Sequence, residues 1–229
     1  MICIGHRGAM GYRPENTLAS FELALQMGCP WIELDVYSVE DELLVIHDDK
    51  LDRTTNGRGR VQTSSIDYIR SLDAGDGEKV PLLREVIDLV NHRAGINIEL
   101  KGPDTAGPVS RLLNDYCSRG WDSAEFLLSS FSHSELMLAD PAYRRGALFG
   151  RRSSRDKFQV AEALSAWSIN PELSMVTRTL VESAHQRGLK VLVYTVNEVE
   201  DIQQMLALSV DGIFTNYPDR VFNLLDANR

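Results

Sequence analysis

The sequence is short of basic residues: 24 Lys plus Arg stand against 33 Asp plus Glu in 229 residues, a net charge of −9. That balance is a poor match to a phosphate backbone or an anionic lipid surface, so no nucleic-acid partner is expected. Cysteine is also scarce. Cys3, Cys29 and Cys117 cannot all pair with one another and lack zinc-cluster spacing, which predicts free thiols in a reducing compartment. No apolar run is long enough to span a bilayer, and His6 and Arg7 come before any signal-peptide core could form. The chain therefore reads as cytoplasmic, with no membrane insertion. Linkers and fixed-period repeats are missing too, and the glycines and prolines are scattered, which excludes low-complexity, collagen-like and solenoid classes.

What is present is a hydrophobic fraction of 43%, enough at this length to bury a core without help from metals or disulfides. Residues 1–229 are expected to form a single domain. Short apolar runs alternate with stretches of helical periodicity, which predicts an α/β chain with a parallel sheet. Strands are expected at Ile2–Gly5, Ile32–Tyr37, Gly95–Leu100, Phe126–Ser129, Gly146–Phe149, Ala166–Ile169, Val191–Thr195 and Gly212–Thr215. Helices are expected at Thr17–Met27, Leu83–Val90, Ala106–Arg119, Ser134–Ala139, Lys157–Leu164, Thr179–Arg187, Val199–Leu206 and Pro218–Leu225, with Asn16 capping the first and Gly28 ending it. Eight such units close a TIM (β/α)8 barrel. The rhythm breaks once, at about residues 48–81, which predicts a small insertion after the second barrel strand.

Reactive groups in such barrels sit at the C-terminal ends of the strands. His6 and Arg7 follow the first strand, Glu33 and Asp35 alternate with aliphatics in the second, and Glu99 and Lys101 end the third. In a hairpin joining Ile32–Tyr37 to LLVIHD, matching Leu44 and Ile46 to the aliphatic face pairs odd residues with odd and sets His47 opposite Asp35. Three carboxylates form an oxygen-rich set suited to one hard divalent cation, Mg²⁺ or Ca²⁺. Arg7 can grip a phosphoryl oxygen, Lys101 adds positive charge, and two histidines offer an acid and a base worth roughly 10²–10⁴-fold each. Taken singly, each signal has a plainer explanation: Glu-X-Asp as a solvated strand face, His-Arg as a surface pair, Glu99-X-Lys101 as a weak ion pair. Their convergence on one barrel mouth is what favours chemistry. His92, His133 and His185 read as structural.

CIGHRGAMGYRPENT from Cys3, followed by IELDV, VIHDDKLDRTTNGRG, INIELK and DGIFTNYPD, resembles the glycerophosphodiester phosphodiesterase family from the first strand to the last helix. The resemblance implies a TIM barrel of the phospholipase C-like phosphodiesterase type that hydrolyses small glycerophosphodiesters to sn-glycerol 3-phosphate and an alcohol. It implies Glu33, Asp35 and Glu99 as ligands of the divalent cation, His6 and His47 as acid and base, Arg7 and Lys101 at the phosphate, and Glu15 lining the site. Where many relatives have Trp-Thr-Val-Asn, this chain has Tyr194-Thr-Val-Asn, a smaller aromatic wall whose hydroxyl suits a polar substrate. Phe131 is a second candidate for that wall, or else a core residue. A lysophospholipase D-type or phosphoinositide-type lipid phosphodiesterase is the alternative, disfavoured by the negative charge, and a non-catalytic binding barrel is a further one.

Overall fold

The computed structural model describes residues 1–227. The chain runs through Ile2–Gly5 (β1), Leu18–Gln26 (α1), Trp31–Val39 (β2), Glu42–Val45 (β3), Ile66–Ser71 (α2), Leu83–Val90 (α3), Gly95–Leu100 (β4) and Ala106–Ser118 (α4). It continues through Phe126–Ser130 (β5), His133–Met137 (α5), Arg144–Phe149 (β6), Lys157–Ala163 (α6), Ser168–Pro171 (β7), Arg178–His185 (α7), Lys190–Val193 (β8), Val199–Ala207 (α8), Gly212–Thr215 (β9) and Pro218–Ala227 (α9). β1 pairs in parallel with both β9 and β2, which closes eight strands into a barrel with β3 added antiparallel outside β2. The TIM architecture predicted from the βα alternation is therefore the observed one. Two strands shift: Ser168–Pro171 replaces the expected Ala166–Ile169, and Lys190–Val193 the expected Val191–Thr195.

The helices cover the barrel through single apolar stripes. In α3, Leu83, Val86, Ile87 and Val90 are all buried, the three-and-four spacing of one helix face. Gly28, Gly120 and Gly188 follow helices with positive φ, as chain reversal there requires. Inside the barrel, Ile4, Leu127, Leu192 and Phe214 form a buried apolar layer backed by Ile2, Trp31 and Trp167, which closes the N-terminal end. No helix among the described residues is long and apolar enough to cross a membrane.

Two local expectations are corrected. Asn16 does not cap α1; Thr17 does, its side chain accepting from Ser20 N, while Asn16 sits at φ 58° with its side chain turned elsewhere. The hairpin register is also offset by one from that expected, with Val36 opposite Val45 and Tyr37 opposite Leu44 around the turn at Glu40 and Asp41. The reason is the insertion. It carries its own core, in which Leu51, Val61, Ile69, Leu72 and Val80 pack on Tyr37, Val39, Leu44 and Ile46, while Leu43 and Val45 join the main core. Both faces of the hairpin are thus apolar, and burial no longer demands the odd-with-odd pairing. His47 lies beyond the end of β3, and Ile46 N donates to Asp35 O at 3.0 Å.

Candidate active site

At the C-terminal end of the barrel, β2 and β4 run in register with Glu33 opposite Asn97 and Asp35 opposite Glu99. Period-two alternation turns these side chains inward, and oxygen atoms of Glu33, Asp35 and Glu99 come within 4.8 Å of one another, all three residues buried. Burial, with the Asp35 and Glu99 charges added, raises the Glu33 carboxyl well above its ordinary value. Burial likewise raises Glu99, to about 7, against the opposing pull of Lys101. For Asp35 the cost of burial is outweighed by Lys101, Arg7 and His47, which hold its carboxyl below the usual range. Lys101 Nζ bridges the set, 2.6 Å from Glu99 Oε1 and 3.2 Å from Asp35 Oδ1, although Asp35 Oδ1 makes no well-aligned hydrogen bond. An all-oxygen, mutually repelling cluster with an unsatisfied buried oxygen fits a hard cation by its donor chemistry.

Arg7 is fixed by its backbone. It lies at φ 51° and Gly8 at φ 82°, a bend that aims Arg7 N at Glu33 Oε2, 2.9 Å away. Its guanidinium donates to Glu15 Oε1 at 2.7 Å and lies 3.2 Å from Asp35 Oδ2. Asn16 Nδ2 donates to the same Asp35 oxygen at 2.9 Å.

Both predicted histidines arrive with one ring nitrogen engaged. His6 Nδ1 is 2.7 Å from Asn216 Oδ1, and His47 Nδ1 is 2.6 Å from Asp48 Oδ1. In each case Nδ1–H faces an acceptor, which leaves Nε2 unprotonated and, among the described residues, without a protein partner. Burial first and Arg7 second lower His6 to about 4. Burial also lowers His47, although Asp35 opposes it. Arg53, from the insertion, makes a double clamp, donating to both oxygens of Glu15 at 2.7 and 2.8 Å and to both of Asp48 at 2.6 and 2.9 Å.

His6, Arg7, Glu33, His47, Glu99 and Lys101 all border one cavity of about 210 Å³, with Asn97, Ser129, Leu148 and Phe214 also in its lining and Phe131 and Tyr194 on one wall. Asp35 and Glu15 do not border this cavity: Asp35 contacts Lys101 and Arg7 from behind the lining, and Glu15 contacts Arg7. Phe131 is 46% exposed, so it is a wall residue and not core, and it meets Tyr194 edge-on at 5.7 Å. The Tyr194 hydroxyl is spent on Phe149 O at 2.9 Å. That bond commits the hydroxyl proton to the protein, while its oxygen can still accept.

Sequence reasoning missed Asn16, Asp48, Arg53 and Asn216. Asp48 and Arg53 stand in the HDDKLDR run, where the signal was a charged residue beside a histidine and an arginine five positions on. Of the remaining histidines, His92 stacks on Trp121 and His185 pairs with Asp211 at 2.8 Å, both remote from the cavity lining.

Residues 6–220 match the model of the glycerophosphoryl diester phosphodiesterase family. The chain is 33% identical to a glycerophosphodiester phosphodiesterase of Caldanaerobacter subterraneus subsp. tengcongensis, covering 98% of this chain and 97% of the relative. It is 34% identical to a glycerophosphodiester phosphodiesterase of Bacillus altitudinis, covering 96% of each. Among solved structures it is similar to a phosphodiesterase from Oleispira antarctica in complex with the product sn-glycerol-3-phosphate, with 29% identity, a TM-score of 0.88, and coverage of 99% and 97%.

Proposed function

Since the chain belongs to the glycerophosphoryl diester phosphodiesterase family, we propose that it is an enzyme hydrolysing small glycerophosphodiesters to sn-glycerol 3-phosphate and an alcohol. The whole chain works as one barrel unit in this reading, with the insertion forming part of the entrance wall. The observation that carries the proposal is the convergence of two imidazoles, each oriented through Nδ1, on a cavity lined by Glu33 and Glu99, with the Asp35 carboxylate grouped against them.

Glu33, Asp35 and Glu99 are the residues that would hold a divalent cation, Mg²⁺ or Ca²⁺. Such an ion, when bound, supplies charge neutralisation at the phosphoryl oxygens. The protein's own groups do the rest. Arg7 and Lys101 add fixed positive charge, and Arg7 is held so firmly by Glu15 and Asp35 that little reorganisation accompanies substrate binding. The glycerol hydroxyl next to the ester is the nucleophile. One neutral imidazole takes its proton at Nε2 as its oxygen bonds to phosphorus, and the other ring, which must enter the step as the imidazolium with a proton on Nε2, gives that proton to the departing alcohol oxygen. Water then opens the cyclic phosphate, with proton transfers through the same two rings. An attached nucleophile exploits proximity, worth roughly 7–11 kcal/mol in favourable cases. Phe131 and Tyr194 form the apolar wall of the mouth, and the net charge of −9 fits small soluble diesters better than membrane lipids.

Coupled detection of sn-glycerol 3-phosphate across a panel of glycerophosphodiesters and a lysophospholipid tests this reading. Release from the small diesters supports it. A preference for the lysophospholipid would transfer the reading to a lipid phosphodiesterase, and binding without release would leave a non-catalytic barrel.

A further inference from the structure

Two buried polar side chains at the bottom of the cavity have no part in the chemistry described above. Asn97 on β4 and Ser129 on β5 are each 1% exposed, yet both line the cavity. Asn97 stands two residues below Glu99 on the same inward face, about 7 Å by strand rise. Its Nδ2 donates to Ser129 Oγ at 3.0 Å, while its Oδ1 has no partner at all. The Ser129 hydroxyl proton is given to no described group either. Interiors seldom leave such groups unsatisfied, and an unpaired oxygen beside a hydroxyl with a proton still to give, both bordering a cavity, is a site awaiting a guest.

The pattern specifies the guest. A hydroxyl group can donate to Asn97 Oδ1 and accept from Ser129 at once. Exchanging the amide oxygen and nitrogen of Asn97 leaves an unpaired N–H instead of an unpaired acceptor, and a hydroxyl still satisfies it. A carboxylate or phosphate would meet only one of the two, and it would lie beside Glu33, the residue opposite Asn97. The floor beneath is shut by Ile4, Leu127, Leu192 and Phe214. A closed end accommodates a part of fixed length, whereas a variable alcohol needs the open mouth.

We infer that Asn97 and Ser129 form the subsite for the terminal hydroxyl of the glycerol moiety, the one farthest from phosphorus. Glycerol therefore points down the barrel, and the leaving alcohol points past Phe131 and Tyr194 to solvent. This inference rests on the proposed diesterase reading and deepens it. The floor makes the enzyme a reader of glycerol, not of any diester carrying a neighbouring hydroxyl.

The test compares glycerophosphocholine with its 1-deoxy analogue, 2-hydroxypropyl phosphocholine, which keeps the attacking hydroxyl and lacks the terminal one. The wild-type enzyme should prefer the glycerol substrate by about 10²-fold or more in kcat/KM, because the analogue leaves buried polar atoms unpaired. In Ser129→Ala and Asn97→Leu that ratio should fall toward one, with the loss borne by the glycerol substrate. Equal wild-type rates, as expected if only a trapped water sits there, overturn the inference while leaving the diesterase reading standing. A ratio undiminished in folded variants also overturns it. Hydrolysis of neither substrate by the wild type overturns both.

Discussion

His47 Nδ1 and Asp48 Oδ1 lie 2.6 Å apart, and the same carboxylate is gripped through both oxygens by Arg53. The next residue in the chain thus fixes the tautomer of the ring that the proposed mechanism uses, and an arginine from the insertion fixes the carboxylate. Arg53 also holds Glu15, which holds Arg7, so a single guanidinium ties the β1 loop to the β3 loop. Loss of a group that orients a metal-bound imidazole costs about 10–100-fold, and a loss of that order is expected for the proposed proton-transferring ring. Asp48→Asn should lower kcat by that range while leaving the melting temperature within a few degrees. Arg53→Ala should do the same, and Arg53→Lys should recover only part, because an ammonium cannot reproduce the two-armed fork. Steady-state kinetics beside thermal melts check this.

His6→Ala and His47→Ala should each lower kcat by about 10²-fold or more, the worth of a lost acid or base. Circular dichroism spectra should remain those of the wild type. Undiminished turnover in either variant would remove that ring from the proton transfers.

Gly8→Ala tests the bend that aims Arg7. Gly8 lies at φ 82°, and a Cβ there would come 2.5 Å from the Ser20 backbone carbon, which cannot swing aside as a side chain could. Left-handed strain plus overpacking should destabilise the fold by about 2–4 kcal/mol. Urea denaturation at neutral pH measures it, and a variant as stable as the wild type would show that the turn relaxes freely.

The raised carboxyl of Glu99 links stability to pH. The native fold keeps its proton up to about 7, while the ordinary value is 4.5, so between these the native state binds more protons than the unfolded chain. Its contribution is present in full below the lower value and is lost as pH rises through the upper one. In chelator, the melting temperature should therefore drop from pH 6 to pH 8, and Glu99→Gln should flatten that slope. Added Mg²⁺ or Ca²⁺ should raise the melting temperature more at pH 8 than at pH 6, since the ligands bind a cation only when deprotonated. Differential scanning fluorimetry at the two pH values reads both effects.

Much of this site was legible because its determinants are local. Period-two alternation put Glu33 and Asp35 on one face, and the βα rhythm fixed the strand order that brings Glu99 beside them. The hairpin register was not legible, because the rule used for it requires one apolar and one polar face. The insertion makes both faces apolar by packing against Leu44 and Ile46, which no pattern within residues 31–49 discloses. Asn16 misled for a related reason. An Asn before an apolar helical stretch has the look of a cap, and its actual bond to Asp35 spans 19 residues. Asn97 and Ser129 read as ordinary strand polars until closure of the barrel turns them toward a common cavity.

The central claim is that Glu33, Asp35 and Glu99 seat a cation on which turnover depends. The most direct measurement is sn-glycerol 3-phosphate release by chelated enzyme as Mg²⁺ or Ca²⁺ is titrated back, for the wild type and for Asp35→Asn. The account predicts no release in chelator, saturable recovery in the wild type, and recovery in the variant only at much higher cation concentration or not at all. Full-rate release in excess chelator would contradict it.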